Sequence, residues 1–160
     1  MSYLKFIGMV ATSTIVMFGL MYLNTYALDH VFFSQTRMWM ALVMGSTMAV
    51  VMLAFMWGMY QHRRANIAII MVSVAVFAGS LGLVRSQTTV DDVAYMKAMI
   101  PHHSIAIMTS ERARISDPRV RQLADEILEA QVREIAEMKA LIADLEGSAP
   151  ADGTPVSDRE

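Results

Sequence analysis

Residues 38–60 read MWMALVMGSTMAVVMLAFMWGMY, twenty-three positions without one charged side chain. Wound as a helix at 1.5 Å per residue, such a run is about 34 Å long, enough to cross a hydrocarbon core of about 30 Å. Two further charge-free runs flank it, Phe6–Leu23 and Ile67–Val84. A mean hydropathy of +0.41 and 55% hydrophobic residues, with 16 methionines, lie outside the range of an ordinary soluble domain. The spacing therefore predicts a membrane domain over residues 1–85, with transmembrane helices at about 6–23, 38–60 and 67–84.

Charge divides the chain at the same place. Residues 1–85 hold Lys5, Arg37, Arg63, Arg64 and Arg85 against Asp29, a net of +4, and the remaining residues carry −6, in keeping with the total of −2. The short connection Gln61–Asn66 contains the arginine pair, and short cytoplasmic loops are where Lys and Arg gather. With three spans, the N-terminus is expected in the cytoplasm of a bacterial inner membrane, with the 24–37 loop and everything after Arg85 in the periplasm. Arg85 is placed to snorkel to that outer interface. Thr25-Tyr26-Ala27 is a poor cleavage site behind a barely basic start, so the first run is expected to remain as an anchor. The absence of cysteine removes disulfides and thiolate ligands.

Within the second run, Met40, Met44, Met48, Met52 and Met56 recur every fourth residue, with Met59 beyond. Four residues turn about 400°, so these positions form a slowly drifting ridge. A thioether ladder of this kind is similar to the methionine pairs of Ctr-type copper transporters. The third run, however, offers Ala75-x-x-x-Gly79 where those proteins carry Gly-x-x-x-Gly, and packing by an adaptable apolar side chain is the favoured reading.

After the spans the pattern predicts a helical hairpin over 86–147 and a disordered tail over 148–160. Its first helix is expected from Thr89 or Val90 to Ile115, with Asp91 and Asp92 in the first turn where they suit the helix dipole. The second should start with Asp117 as N-cap and Pro118 at the first helical position, and stop at Gly147. Its apolar stripe, through Val120, Leu123, Ile127, Met138, Leu141 and Leu145, has the spacing for packing on the first helix. Gln131 and Glu134 interrupt the stripe, and a carboxylate at a covered position requires a partner or a cation.

Residues 96–103, Met-Lys-Ala-Met-Ile-Pro-His-His, supply soft and borderline donors together. Thioether and neutral imidazole favour copper, Cu(I) above all, over Mg or Ca. Met96, Met99 and His103 stand at i, i+3 and i+7 and share a helix face. His102 diverges from His103 by about 100° unless Pro101 bends the backbone. Counted from the link near Ser116, Gln131 and Glu134 fall opposite His102 and Met99.

The stretch about 90–146 resembles a bacterial family, the domain of unknown function numbered 305. The features shared are Asp92, Tyr95, Met96, Met99-Ile100-Pro101-His102-His103, Ala106-Ile107 and Gln131-x-x-Glu134-Ile135-x-x-Met138. The resemblance implies a helical, ferritin-like fold, export, and copper or silver binding, and thereby His102, His103, Met96, Met99 and Met138 as ligands beside Glu134. Where the family usually has methionine, this chain has Thr109, with Met108 displaced by one.

The fold expected is thus all-α: three transmembrane helices, then an antiparallel hairpin forming a ferritin-like half-bundle. The leading function is a membrane-anchored periplasmic protein that holds Cu(I), or another soft ion, for tolerance, buffering or delivery. The alternative is a non-catalytic assembly module in which the Met, His, Gln and Glu cluster is an interface. Under either, a hairpin this small is expected to form a homo-oligomer. An enzyme is not expected, because no Glu-x-x-His motif, nucleophile–base set or phosphate loop is present. Neither is an organic cofactor or a nucleic-acid partner.

Overall fold

The computed structural model describes residues 2–147, and the tail expected to be disordered over 148–160 lies outside them. Five α-helices follow one another: α1 (Tyr3–Leu20), α2 (Gln35–Phe55), α3 (Arg63–Ser86), α4 (Asp92–Arg112) and α5 (Pro118–Gly147). Among the described residues there is no strand. The helices α1, α2 and α3 are each long and apolar enough to cross a membrane.

All three spans begin earlier than the apolar runs, and for the first two a capping residue rather than hydrophobicity sets the helix start. Ser2 accepts a hydrogen bond from the Leu4 amide and starts α1 at Tyr3. Ser34 does the same for the Arg37 amide at 3.2 Å and draws Gln35-Thr36-Arg37 into α2. Helix α3 likewise takes in Arg63 and Arg64. The second span is shorter at its other end: Met56 is the C-cap and Trp57–Met59 form a 3-10 turn, so Met56 and Met59 stand off the α2 helix.

Helix α2 is the hub, with α1 and α3 both packed on it. Its buried ridge is Ala41, Gly45, Ala49 and Leu53, one small residue per turn and then leucine. The methionines at 40, 44, 48 and 52 stand one position before each of these and flank the ridge. At Gly45 the backbone of α2 meets α1 so closely that a Cβ would land on the Thr14 side chain. Helix α3 answers with Asn66, Ser73 and Ser80, all buried and seven residues apart on one stripe. The α2–α3 turn is tied to the start of α1: Tyr3 donates to Asn66 Oδ1 at 2.8 Å, and Asn66 Nδ2 donates to the Tyr60 carbonyl at 2.9 Å.

Helices α4 and α5 form the hairpin. Asp91 caps α4, accepting from the Ala94 amide at 2.7 Å, so it precedes the first turn instead of sitting in it. The helix then runs unbroken through Pro101, whose expected bend does not interrupt it. It stops at Arg112, three residues before the expected Ile115. Asp117 Oδ1 accepts from the Arg119 amide at 2.9 Å and starts α5 at Pro118.

The face of α5 turned to α4 differs from the expected one. Ala124, Ile135 and Ile142 are buried, with Leu128 and Met138 partly covered against Met96, Ile100 and Ile107 of α4. Of the predicted stripe only Met138 joins this core; Leu123 remains 56% exposed while Ile135 is 3% exposed, and Val120, Ile127, Leu141 and Leu145 are also exposed. The helix has two apolar stripes about a quarter of a turn apart, and α4 takes the one carrying Ile135 and Ile142.

The α1–α2 connection docks on the hairpin. Phe32 packs on the α4–α5 core. The Tyr26 amide donates to Ser104 Oγ at 2.7 Å, His30 Nδ1 lies 3.0 Å from the same hydroxyl, and Lys139 of α5 pairs with Asp29 at 2.6 Å. The connection and the hairpin therefore share one face of the span bundle, while the N-terminus and the α2–α3 turn share the other. These contacts fall on Ser104, near the middle of α4, and on Lys139, in the second half of α5.

Candidate functional site

A groove of about 630 Å³ runs between α4 and α5. From α4 it is lined by Asp92, Tyr95, Met96, Met99 and His103, and from α5 by Glu134, Glu137, Met138, Leu141, Asp144 and Leu145. The i, i+3, i+7 spacing of Met96, Met99 and His103 puts all three on this face, as helical geometry requires. Met96 is buried, whereas Met99, His103 and Met138 are half-buried and reach the open space.

His103 is held at both ring nitrogens. Nδ1 lies 3.0 Å from the Met99 carbonyl oxygen and Nε2 lies 2.8 Å from Glu134 Oε2. A carbonyl has no proton to give, so Nδ1–H is the donor to Met99 and the other nitrogen faces the carboxylate. A bare lone pair against a carboxylate is repulsive. A proton or a cation between Nε2 and Oε2 would join the two. The pair is only partly shielded, with the His103 side chain 13% and that of Glu134 43% exposed.

His102, named from sequence among the ligands, is not brought into the groove. It is exposed, its ring centroid is 6.3 Å from that of His103, and the two planes meet at 67°. Because α4 is unbroken at Pro101, the adjacent rings keep their helical divergence. Gln131 and Met108 do not line the groove either, and Thr109 is spent on the Ile105 and Ala106 carbonyls of its own helix. The expected register shifts accordingly: Glu134 meets His103 rather than Met99.

Six lining residues escaped the reading of the site: Asp92 and Tyr95 on α4, and Glu137, Leu141, Asp144 and Leu145 on α5. On α5 the signal was present, since Glu134, Glu137, Met138, Leu141, Asp144 and Leu145 follow i, i+3, i+4, i+7, i+10 and i+11. With Asp92, the carboxylates of Glu134, Glu137 and Asp144 give the methionine-lined groove an acidic rim, and Lys97 pairs with Glu146 at its end. Among the described residues no three His, Asp or Glu side chains are grouped as a metal site.

On the side of α4 away from Glu134, Ser104 meets the α1–α2 connection. Burial, then the charge of Lys139, pushes the His30 pKa below its ordinary value, against the opposing pull of Asp29. The neutral ring fits the hydrogen bonds, since Ser104 Oγ accepts from Tyr26 and is left to donate to His30 Nδ1. The Lys139 ammonium, bonded to Asp29, holds that carboxyl below the usual carboxylate range. Glu111 raises the Tyr26 phenol, its carboxylate accepting from the hydroxyl.

No solved structure matches the chain. The uncharacterized protein L153 of Acanthamoeba polyphaga mimivirus is 40% identical to it over 78 residues, 48% of each chain, so the chain spans about half the length of that relative. Residues 91–159 match the model of the family described as "Domain of unknown function (DUF305)", and the hairpin that forms the groove is accordingly a domain of this family.

Proposed function

We propose that this protein is a membrane-anchored metal-binding protein that holds Cu(I), or an ion of similar softness, in the α4–α5 groove for tolerance, buffering or delivery. The observation that carries this reading is His103: its Nδ1 is committed to the Met99 carbonyl, which leaves Nε2, now paired with Glu134, as the nitrogen that can turn to an ion beside Met99 and Met138. Fixing one imidazole nitrogen on a backbone carbonyl is how metal-binding histidines are oriented. Thioethers beside it select a soft cation, and the carboxylate rim lowers the cost of holding its positive charge. Met96, Met99, Met138 and His103 would hold the ion, with Glu134 balancing charge and His102 outside.

The hairpin is proposed to face the periplasm of a bacterial inner membrane. The Lys5 end of α1 and the Arg63-Arg64 end of α3 share one face, and positive residues at short connections mark the cytoplasmic side. The exposed stripe of α5 also favours an assembly role for the same hairpin, which does not exclude metal binding.

Titration of the full chain in detergent with Cu(I) against a competing chelator tests the reading. A single tight site is expected, lost in His103→Ala, weakened in Met99→Leu and Met138→Leu, and unchanged in His102→Ala. An ion that binds only the folded protein also stabilises it by about 2.7 kcal/mol at a hundredfold excess over its Kd, so the Tm should rise with Cu(I). Equal affinity in wild type and His103→Ala would reject the assignment.

A further inference from the structure

A stripe of α5 that is exposed at its ends and only partly covered by α4 at Glu134 and Met138 has a symmetry of its own. Val120, Ile127, Gln131, Glu134, Met138 and Leu145 are arranged so that the sequence reads alike from either end about the midpoint between Val132 and Arg133. Reversed onto itself, the stripe sets Val120 opposite Leu145, Ile127 opposite Met138, and Gln131 opposite Glu134; Leu123 falls within one residue of Leu141. Apolar residues meet apolar ones throughout. At the centre, the Gln131 amide is placed to donate to the Glu134 carboxylate oxygen that His103 does not use. A polar pair in an apolar seam of this kind fixes its register.

Charge selects the same direction. Residues 112–121, at the link end of the hairpin, hold Arg112, Arg114, Arg119 and Arg121 against Asp117, a net of +3. Residues 134–146, at the other end, hold Glu134, Glu137, Asp144 and Glu146 against Lys139, a net of −3. An antiparallel partner lays each basic end on an acidic end, while a parallel partner would set like on like and lose that attraction. A membrane surface would meet the charges of both signs that border the stripe. A second copy of this chain satisfies both the apolar order and the charge.

From these observations we infer that two chains associate through an isologous, antiparallel contact between their α5 helices, centred on Gln131 and Glu134. Both chains sit in one membrane, so the two-fold axis of such a contact runs along the membrane normal. The contact shares Glu134 and Met138 with the groove and covers Leu141 and Leu145 at its lip, and its apolar order and charge pattern are properties of α5 without an ion.

The chain has no cysteine, so introduced thiols report without background. Val120 and Leu145 are 25 residues apart, about 37 Å along one helix, and cannot bridge within a chain. In native membranes under mild oxidation, full-length Val120→Cys/Leu145→Cys should yield a disulfide-linked dimer, and neither single variant should. In detergent, light scattering should give twice the chain mass for wild type. Ile127→Glu, which places an unpaired carboxylate in the seam, should raise the dimer Kd by more than about tenfold with helicity unchanged. A link in either single variant, no link in the double variant, or a monomeric wild type overturns the inference.

Discussion

At His103 a single side chain is set by its two neighbours, and that setting makes its consequences testable residue by residue. The Met99 carbonyl takes Nδ1–H, so whatever Glu134 does decides the state of Nε2. Replacing Glu134 with glutamine keeps the size but turns an acceptor toward a possible donor, whose N–H then occupies the Nε2 lone pair. Glu134→Gln is expected to weaken Cu(I) binding about 10- to 100-fold while leaving the stability without metal within about 1 kcal/mol of wild type; a chelator titration and a melt on the same sample read both. In the spans, Gly45 has the comparable part. A Cβ there meets Thr14, so Gly45→Ala should destabilise the α1–α2 contact by about 1–3 kcal/mol. Adding Thr14→Ala should recover most of that loss, measured as detergent-resistant folding. The donors of the groove were legible because Met96, Met99 and His103 follow helical spacing. His102 was misplaced because the proline beside it suggested a bend that α4 does not make.

At the scale of elements, what the sequence showed and what it hid have different physical origins. Charge-free runs revealed the three spans, since desolvating charge in lipid is costly and its absence is conspicuous. Their ends were hidden by three or four residues, because Ser2 and Ser34 cap the helices with hydroxyls that a hydrophobic pattern does not register. On α5 the two apolar stripes are nearly equal in strength, and only the packing of α4 on Ile135 and Ile142 distinguishes them. Docking of the α1–α2 connection was not legible at all, for it joins Tyr26 to Ser104 across 78 positions. That contact should respond to acid. The docked His30 has a lowered pKa and is released to about 6.5 when the connection detaches. Both forms are neutral above that value; as pH falls from about 6.5 toward the lowered value, the detached form alone takes up a proton and docking weakens. The protection of residues 24–34 from hydrogen exchange, taken relative to the intrinsic rate at each pH, should therefore fall between pH 7.5 and 5.5, and His30→Gln, which keeps an acceptor for Ser104, should flatten the change. Protection that is independent of pH in wild type would contradict this role.

For the whole molecule, three apolar helices carry a hairpin of a family whose function has no established name, and the docked connection holds that hairpin against the span ends. The orientation proposed here predicts that a reporter active only outside the cytoplasm works when fused after Gly147 and is silent when fused after Arg64. The reverse pattern would remove the groove from the periplasm and with it the delivery role. Because the chain holds 16 methionines, several of them along α2, bound copper alone does not locate the site. X-ray absorption at the copper edge of the Cu(I)-loaded full chain does so, since it separates sulfur from nitrogen neighbours. The predicted result is a shell of two or three sulfurs and one nitrogen, with the nitrogen lost in His103→Ala and the sulfur count reduced in Met99→Leu; a shell of nitrogen and oxygen only, or one unaltered by His103→Ala, would contradict the assignment of the groove.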